Sequence, residues 1–237
     1  MSVDPLRIQA AIARLYADAN LPRPSAPGIV SVKALLRRLP GQVQVHELTG
    51  FTHGEAADYL LSKWAINPPV DRTDDRRIAG LVYAVHTSHA YIAHVFARAE
   101  DPVTRRRFTI GHELGHIYLH FLPTAGVDAF LEVYEHGEVR PPSPDAETPA
   151  PYSATDAFGT FDDDALPDYD TMEAEANAFS AALLMPEAAC HAHAQALVGT
   201  YGDRRAVLAR RMAPDFLVSK TAMRNRLRTL GIGVEPE

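Results

Sequence analysis

The chain has 237 residues, 46% of them hydrophobic, with a formal net charge of −7 and a single cysteine, Cys190. That length allows one large domain or a domain with an appendage, and the apolar content is enough for a sizeable core. A lone cysteine excludes an intrachain disulfide, and the lack of any run of ~18 apolar residues excludes a membrane-spanning helix.

The N-terminal stretch has charges spread through it and does not read as a signal peptide, which with the lone cysteine points to the cytoplasm. Asp4 followed by Pro5 marks a helix start. Leu6, Ile8, Ala11, Ile12, Leu15 and Tyr16 carry a helical stripe to about Ala19. Residues 21–28 hold three prolines and form a connector. Residues 32–39 read as a short helix with Lys33, Arg37 and Arg38 facing water. Residues 42–48 alternate through Val43 and Val45 and read as a strand. Residues 54–66 read as a helix carrying the only tryptophan, Trp64, stopped by Asn67-Pro68-Pro69.

Residues 76–86 and 90–97 are β-rich runs joined at His86-Thr87-Ser88-His89, and we expect adjacent antiparallel strands. His86, His89 and His94 are expected at turns or the surface. Residues 104–122 then form an apolar helix. Residues 135–170 are rich in Pro, Asp, Ala and Ser, include Asp162-Asp163-Asp164 and carry Arg140 as the only Lys or Arg, the composition of a mobile acidic insert. A flap over a cleft is the other reading of this stretch. Met172, Ala176, Phe179 and Leu183 give a helical stripe over 171–186, ended by Pro186. Residues 188–198 form another helix. Residues 203–232 are helical and basic, with a turn expected near Ala213-Pro214 and Arg204, Arg205, Arg210, Arg211, Lys220, Arg224, Arg226 and Arg228 along them.

The chemistry is concentrated in His112-Glu113-Leu114-Gly115-His116, the pattern H-E-x-x-H. On a helix, residues four apart lie ~40° apart around the axis and ~6 Å along it, so His112 and His116 can grip one metal ion. Two neutral imidazoles favour zinc, and Glu113, ~100° round from His112, can take a proton from a metal-bound water. The surrounding helix is apolar nearly all round, so the trio is buried, and buried polar groups need a partner such as a metal. A catalytic zinc takes three protein ligands. Glu173 is the expected third, with Asn177 on the same face to hydrogen-bond an imidazole. Glu175 is the rival, ~200° round from Glu173, and otherwise a solvated helix charge. His120 lies too far along the helix to share the ion with His112, and is expected at the surface or behind the ligands. Cys190 is read as a small core residue, with a zinc-blocking thiolate as the other reading. For an oxyanion donor, Tyr134, Tyr152, Tyr169, His120 and His136 remain open.

These residues resemble a known family. RRRFTIGHELGHIYLH, then EAEANAFSAALLMP, is similar to the ImmA/IrrE family of zinc-dependent metallopeptidases, and the tail LARRMAPDFLVSKTAMRNRLRTLGI is similar to that family's helical C-terminal segment. The resemblance implies an α+β fold: a small antiparallel or mixed sheet on a zincin-type helical core, with a helical C-terminal segment. It implies a metallopeptidase domain over 1–198, including the acidic insert at about 135–170, and a basic helical segment over 199–237. It implies one Zn2+ per chain held by His112, His116 and Glu173, and Glu113 as catalytic base. It implies a cytoplasmic, site-specific endopeptidase cleaving a helix-turn-helix repressor or antitoxin in a stress, DNA-damage or phage-defence response, with no membrane partner. The alternative is a DNA-binding or antitoxin-type regulator that works by binding. For that reading, the helix-turn-helix-like apolar pattern of the tail makes Arg224, Arg226 and Arg228 candidate nucleic-acid contacts, with DNA as activator or ligand.

Overall fold

The computed structural model describes residues 3–39, 42–88, 90–124, 129–134 and 166–235. Its architecture is α+β: a four-stranded mixed sheet with helices on both faces, and a helical C-terminal region. Helix α1 spans Pro5–Asp18, and Asp4 caps it by accepting from the amide of Leu6. Helix α2 spans Val32–Leu36, and Lys33, Arg37 and Arg38 are exposed. Strand β1 (Gln42–Leu48) leads into α3 (His53–Trp64), which opens on a reciprocal capping box of Thr52 and Glu55.

Strands β2 (Gly80–His86) and β3 (Tyr91–Arg98) form the expected antiparallel hairpin, with Val82 opposite Val95. Strand β1 joins β3 in parallel, with Val45 opposite Val95, and makes the sheet mixed. The sheet order is β1-β3-β2-β4. The strand β4 (Ala129–Tyr134) pairs antiparallel with β2 and falls where the sequence pattern had broken. The acidic insert lies outside the described residues over 135–165.

One face of the sheet presents Val82, Ala84, Ala93 and Val95 to the main core, against Leu114, Ile117 and Phe121 of the metal-motif helix. The other face presents Leu81 and Phe96 to a smaller core under α3, with Phe51, Ala56 and Leu60. With helices on both faces, β3 is buried along almost its whole length.

Helix α4 (Val103–His116) runs into a π-helical turn at Ile117–Phe121. Pro123 accounts for this widening. Its ring crowds the carbonyl four residues back, at Leu119, and it has no amide to bond there. Helix α5 (Tyr169–Leu184) is capped by Asp168, which accepts from the amide of Thr171, and is followed by α6 (Glu187–Tyr201).

Helices α7 (Arg205–Phe216) and α8 (Lys220–Thr229) close the chain. The expected turn at Ala213-Pro214 is displaced: Pro214 sits inside the last turn of α7, and the break falls at Leu217, which has φ 51°, with Ser219 capping α8. The tail's apolar stripe is spent inward. Leu208, Met212, Phe216, Met223 and Leu227 are all 0% exposed and share one cluster with Phe179 and Leu183. Each such burial contributes roughly 1.5–3 kcal/mol gross, so these helices are part of the core rather than a loose appendage.

Candidate metal centre

Small residues face one another where helices α4 and α5 meet. Gly111 and Gly115 on α4, four apart, meet Ser180 and Ala176 on α5, also four apart. A Cβ on Gly115 would stand 3.0 Å from the Ala176 Cα, and one on Gly111 would stand 2.7 Å from Ser180 Oγ. Ser180 also donates to the Phe108 carbonyl at 2.8 Å. This ladder brings a carboxylate on α5 to two imidazoles on α4.

The convergence is a triangle. His116 Nε2 lies 3.0 Å from His112 Nε2 and 3.1 Å from Glu173 Oε1, and His112 Nε2 lies 3.3 Å from the same oxygen. These three are the only group among the described residues that gathers such ligand atoms. Bonds of ~2.0–2.1 Å around tetrahedral zinc put nitrogen and oxygen donors ~3.3–3.4 Å apart. The observed edges match this within a few tenths of an ångström, so the residues fit a zinc ion.

Charge states also fit. His116 is 0% exposed, and burial pushes its pKa down to about 3, so it is neutral and offers a lone pair. Burial would raise the Glu173 carboxyl, but hydrogen bonding and charge from His112 and His116 outweigh it and hold the group at about 2, as a carboxylate. Two neutral imidazoles and one anion leave a bound divalent ion at net +1. Asn177 places its Oδ1 3.2 Å from His112 Nδ1, where the ring N–H donates to it and leaves Nε2 bare.

Glu113 is fully buried. Its carboxylate lies against the start of β2, at Gly80, where a Cβ would collide with both Glu113 Oε1 and the Thr109 methyl. Gly80 is therefore a position that makes room for the Glu113 carboxylate, and sequence reasoning missed it. An isolated glycine opening a strand was its signal, since such a glycine marks a close approach. The Gly111/Gly115 spacing was equally visible and also not read.

Several expectations are corrected. Glu175 is not a solvated charge. It is 4% exposed, paired to Arg7 at 2.8 Å, and it accepts from His120 Nε2 at 3.0 Å. Of the two readings of His120, the one behind the ligands holds: it is fully buried behind His116, the two Nδ1 atoms 3.1 Å apart. His94 is also fully buried, on β3, while His86 is exposed. Cys190 is a core residue, its thiol 3.7 Å from the Met185 carbonyl, and burial raises its pKa to about 11. Arg226 is 8% exposed and donates to the Met185 carbonyl at 3.0 Å, which removes it from any nucleic-acid face. Arg224 and Arg228 are exposed, and Arg224 is tied to Glu235. Of the oxyanion candidates, Tyr152, His136 and the side chain of Tyr134 lie outside the described residues, as does His89. His120 is already engaged on both ring nitrogens, and Tyr169 is half-buried at the start of α5.

A mixed sheet backed by an H-E-x-x-H helix, with a second helix supplying a carboxylate to the same point, defines a metallopeptidase-type site. Residues 153–228 match the Peptidase_M78 family model, described as an IrrE N-terminal-like domain. That stretch, about a third of the chain, is thus similar to the ImmA/IrrE type of domain, in agreement with the sequence motifs. The match begins after H-E-x-x-H and includes Glu173, so it rests on different residues from the motif itself. No curated protein matches the chain. Among the described residues, no helix is long and apolar enough to cross a membrane.

Proposed function

We propose that this protein is a site-specific zinc endopeptidase, acting in the cytoplasm on a helix-turn-helix repressor or antitoxin in a stress, DNA-damage or phage-defence response. The observation that carries the enzymatic part is the His112–His116–Glu173 triangle with a buried carboxylate, Glu113, one residue along from the first ligand. The substrate class rests on the resemblance to the ImmA/IrrE family. When bound, zinc would supply a Lewis acid that polarises a peptide carbonyl and makes water acidic near neutral pH. Glu113 would hold the proton taken from that water and deliver it to the leaving amine. Gly80 leaves room for this carboxylate, and Asn177 keeps the His112 lone pair turned toward the ion.

The test is incubation of the candidate repressor with the wild type and with Glu113→Gln, reading cleavage beside zinc content. The variant should keep about one zinc per chain and lose at least ~10²-fold in cleavage. Unchanged cleavage or unchanged biological output in the variant would make the metal structural. The regulator alternative would draw on the exposed Arg204, Arg210, Arg211, Lys220, Arg224 and Arg228. It requires nucleic-acid binding that falls steeply with salt and is abolished by charge reversal at Arg224 and Arg228. No binding by the wild type at low salt leaves the tail as part of the core alone.

A further inference from the structure

We infer that Arg7, Glu175 and His120 form a positioning relay that fixes the orientation and tautomer of His116, so that its Nε2 lone pair faces the metal position. The inference rests on the metal reading above and concerns residues that do not touch the metal.

The relay can be followed atom by atom. Arg7 donates through Nη1 to both Glu175 oxygens at 2.8 Å, and through Nη2 to the Leu119 carbonyl at 2.8 Å. That carbonyl is the one Pro123 leaves without its helical donor, so Arg7 meets a need the π-helical turn creates. Glu175 is thereby held in place, 5% exposed. A carboxylate already receiving an arginine can only accept. The contact of 3.0 Å between His120 Nε2 and Glu175 Oε2 therefore places a hydrogen on His120 Nε2. A second proton on His120 would add a cation beside a carboxylate that Arg7 already neutralises, at a site with no exposure, which is costly. His120 Nδ1 is then a bare acceptor. It sits 3.1 Å from His116 Nδ1, so the hydrogen between them belongs to His116. A neutral His116 with hydrogen on Nδ1 has its lone pair on Nε2, the atom at the corner of the ligand triangle.

The same chain fixes the ring itself. Without His120, His116 Nδ1 would lose its acceptor inside the core. The relay joins three helices: α1 through Arg7, α5 through Glu175, and α4 with its π-helical turn through His116 and His120. Glu173 and Glu175, two residues apart on α5, thus take different tasks, one at the triangle and one behind its corner.

The test measures zinc affinity by chelator competition, beside thermal unfolding of the zinc-free protein, for the wild type, Glu175→Gln, His120→Phe and Arg7→Met. Glu175→Gln keeps the shape but can donate to His120 Nε2, which would drive the hydrogen order backwards and protonate the metal-facing nitrogen. Zinc affinity should fall 10–100-fold in Glu175→Gln and His120→Phe, the scale seen for partners of metal-bound histidines. Arg7→Met should fall in the same direction. A purely structural role would lower the melting temperature of the zinc-free protein and leave affinity per folded molecule unchanged, and that result overturns the relay. As a second readout, ring nitrogen spectra of the zinc-loaded wild type should show His120 with hydrogen on Nε2 and not on Nδ1. A hydrogen on His120 Nδ1 also overturns it. A wild type that binds no zinc would remove the metal reading itself, and the relay with it, whereas a zinc-binding wild type whose variants bind equally well removes only the relay.

Discussion

The sheet has a buried histidine cluster on each face, and the two are built differently. On the main-core face, His112, His116 and His120 are surrounded by Glu173, Glu175 and Asn177, and their ring nitrogens have assigned partners. On the α3 face, His46 and His94 share one hydrogen bond of 3.1 Å and are otherwise packed among rings: Tyr59, Trp64 and Phe96 stand about His46, with centroids 4.8–5.2 Å away. Burial lowers the pKa of His116 and His120 in the first cluster. Burial pushes His46 down to about 4, with His94 adding to the effect, and burial lowers His94 as well. Burial of histidine is therefore no sign of function. What distinguishes the first cluster is that acceptors aim at a common point, which close packing alone would not produce.

The largest expected effect breaks the comparison outright. His116→Ala should reduce zinc from one per chain to none in elemental analysis, while His94→Phe should leave it at one. Zinc retained by the first variant, or lost from the second, would interchange the roles of the two faces.

Acid should sharpen the comparison next. His46 falls from 6.5 in the unfolded chain to about 4 in the fold, so the unfolded state binds the extra proton first. The stability it contributes is complete above ~6.5 and is lost as pH falls toward 4, a total on the order of 3 kcal/mol. His116 acts with the same sign and over a longer range, down to about 3. In the zinc-free protein, denaturant unfolding at pH 7 and pH 5 should show a marked loss. The loss should be about 2 kcal/mol smaller in His46→Phe. An equal loss in the two proteins would mean the aromatic-lined pair does not govern acid stability.

A smaller effect should come from the helix contact that serves only one face. Gly115→Val must push against the backbone of Ala176, which cannot rotate away, at a cost of about 1–3 kcal/mol. Zinc affinity should fall with it, because Glu173 moves with α5. Unfolding and zinc titration together check this. A stable variant with unaltered zinc affinity would show that the two helices can separate without opening the triangle.

Much of this was legible from residues alone, and the failures share a cause. The 3.6-residue and two-residue periods located α4, α5 and the β2–β3 hairpin, because each keeps one clear face toward the core. His112, His116 and Glu173 follow from helical spacing, and the structure brings their ligand atoms together. His94 was misplaced because β3 is covered on both faces, so the alternation that would have marked it as inward is missing. Glu175 was misjudged because its partner, Arg7, is 168 residues away in sequence. Arg226 was placed on an outer face for the same reason. Its bond to the Met185 carbonyl spans 41 residues and no local pattern announces it. Strand β4 was missed because six residues following a helix gave too short a run to read, and only pairing with β2 makes it a strand.

The distance along the chain between the two sides of the triangle has a consequence for biosynthesis. Glu173 follows His116 by 57 residues. At ~5–20 residues per second, an emerging polypeptide presents its imidazole pair roughly 3–11 seconds before the carboxylate exists. Arg226, which ties α8 to the end of α5, comes later still. On the proposed reading, a metal ion would meet its full ligand set only after most of the chain has been made, and a half-made molecule would lack the third corner of the triangle.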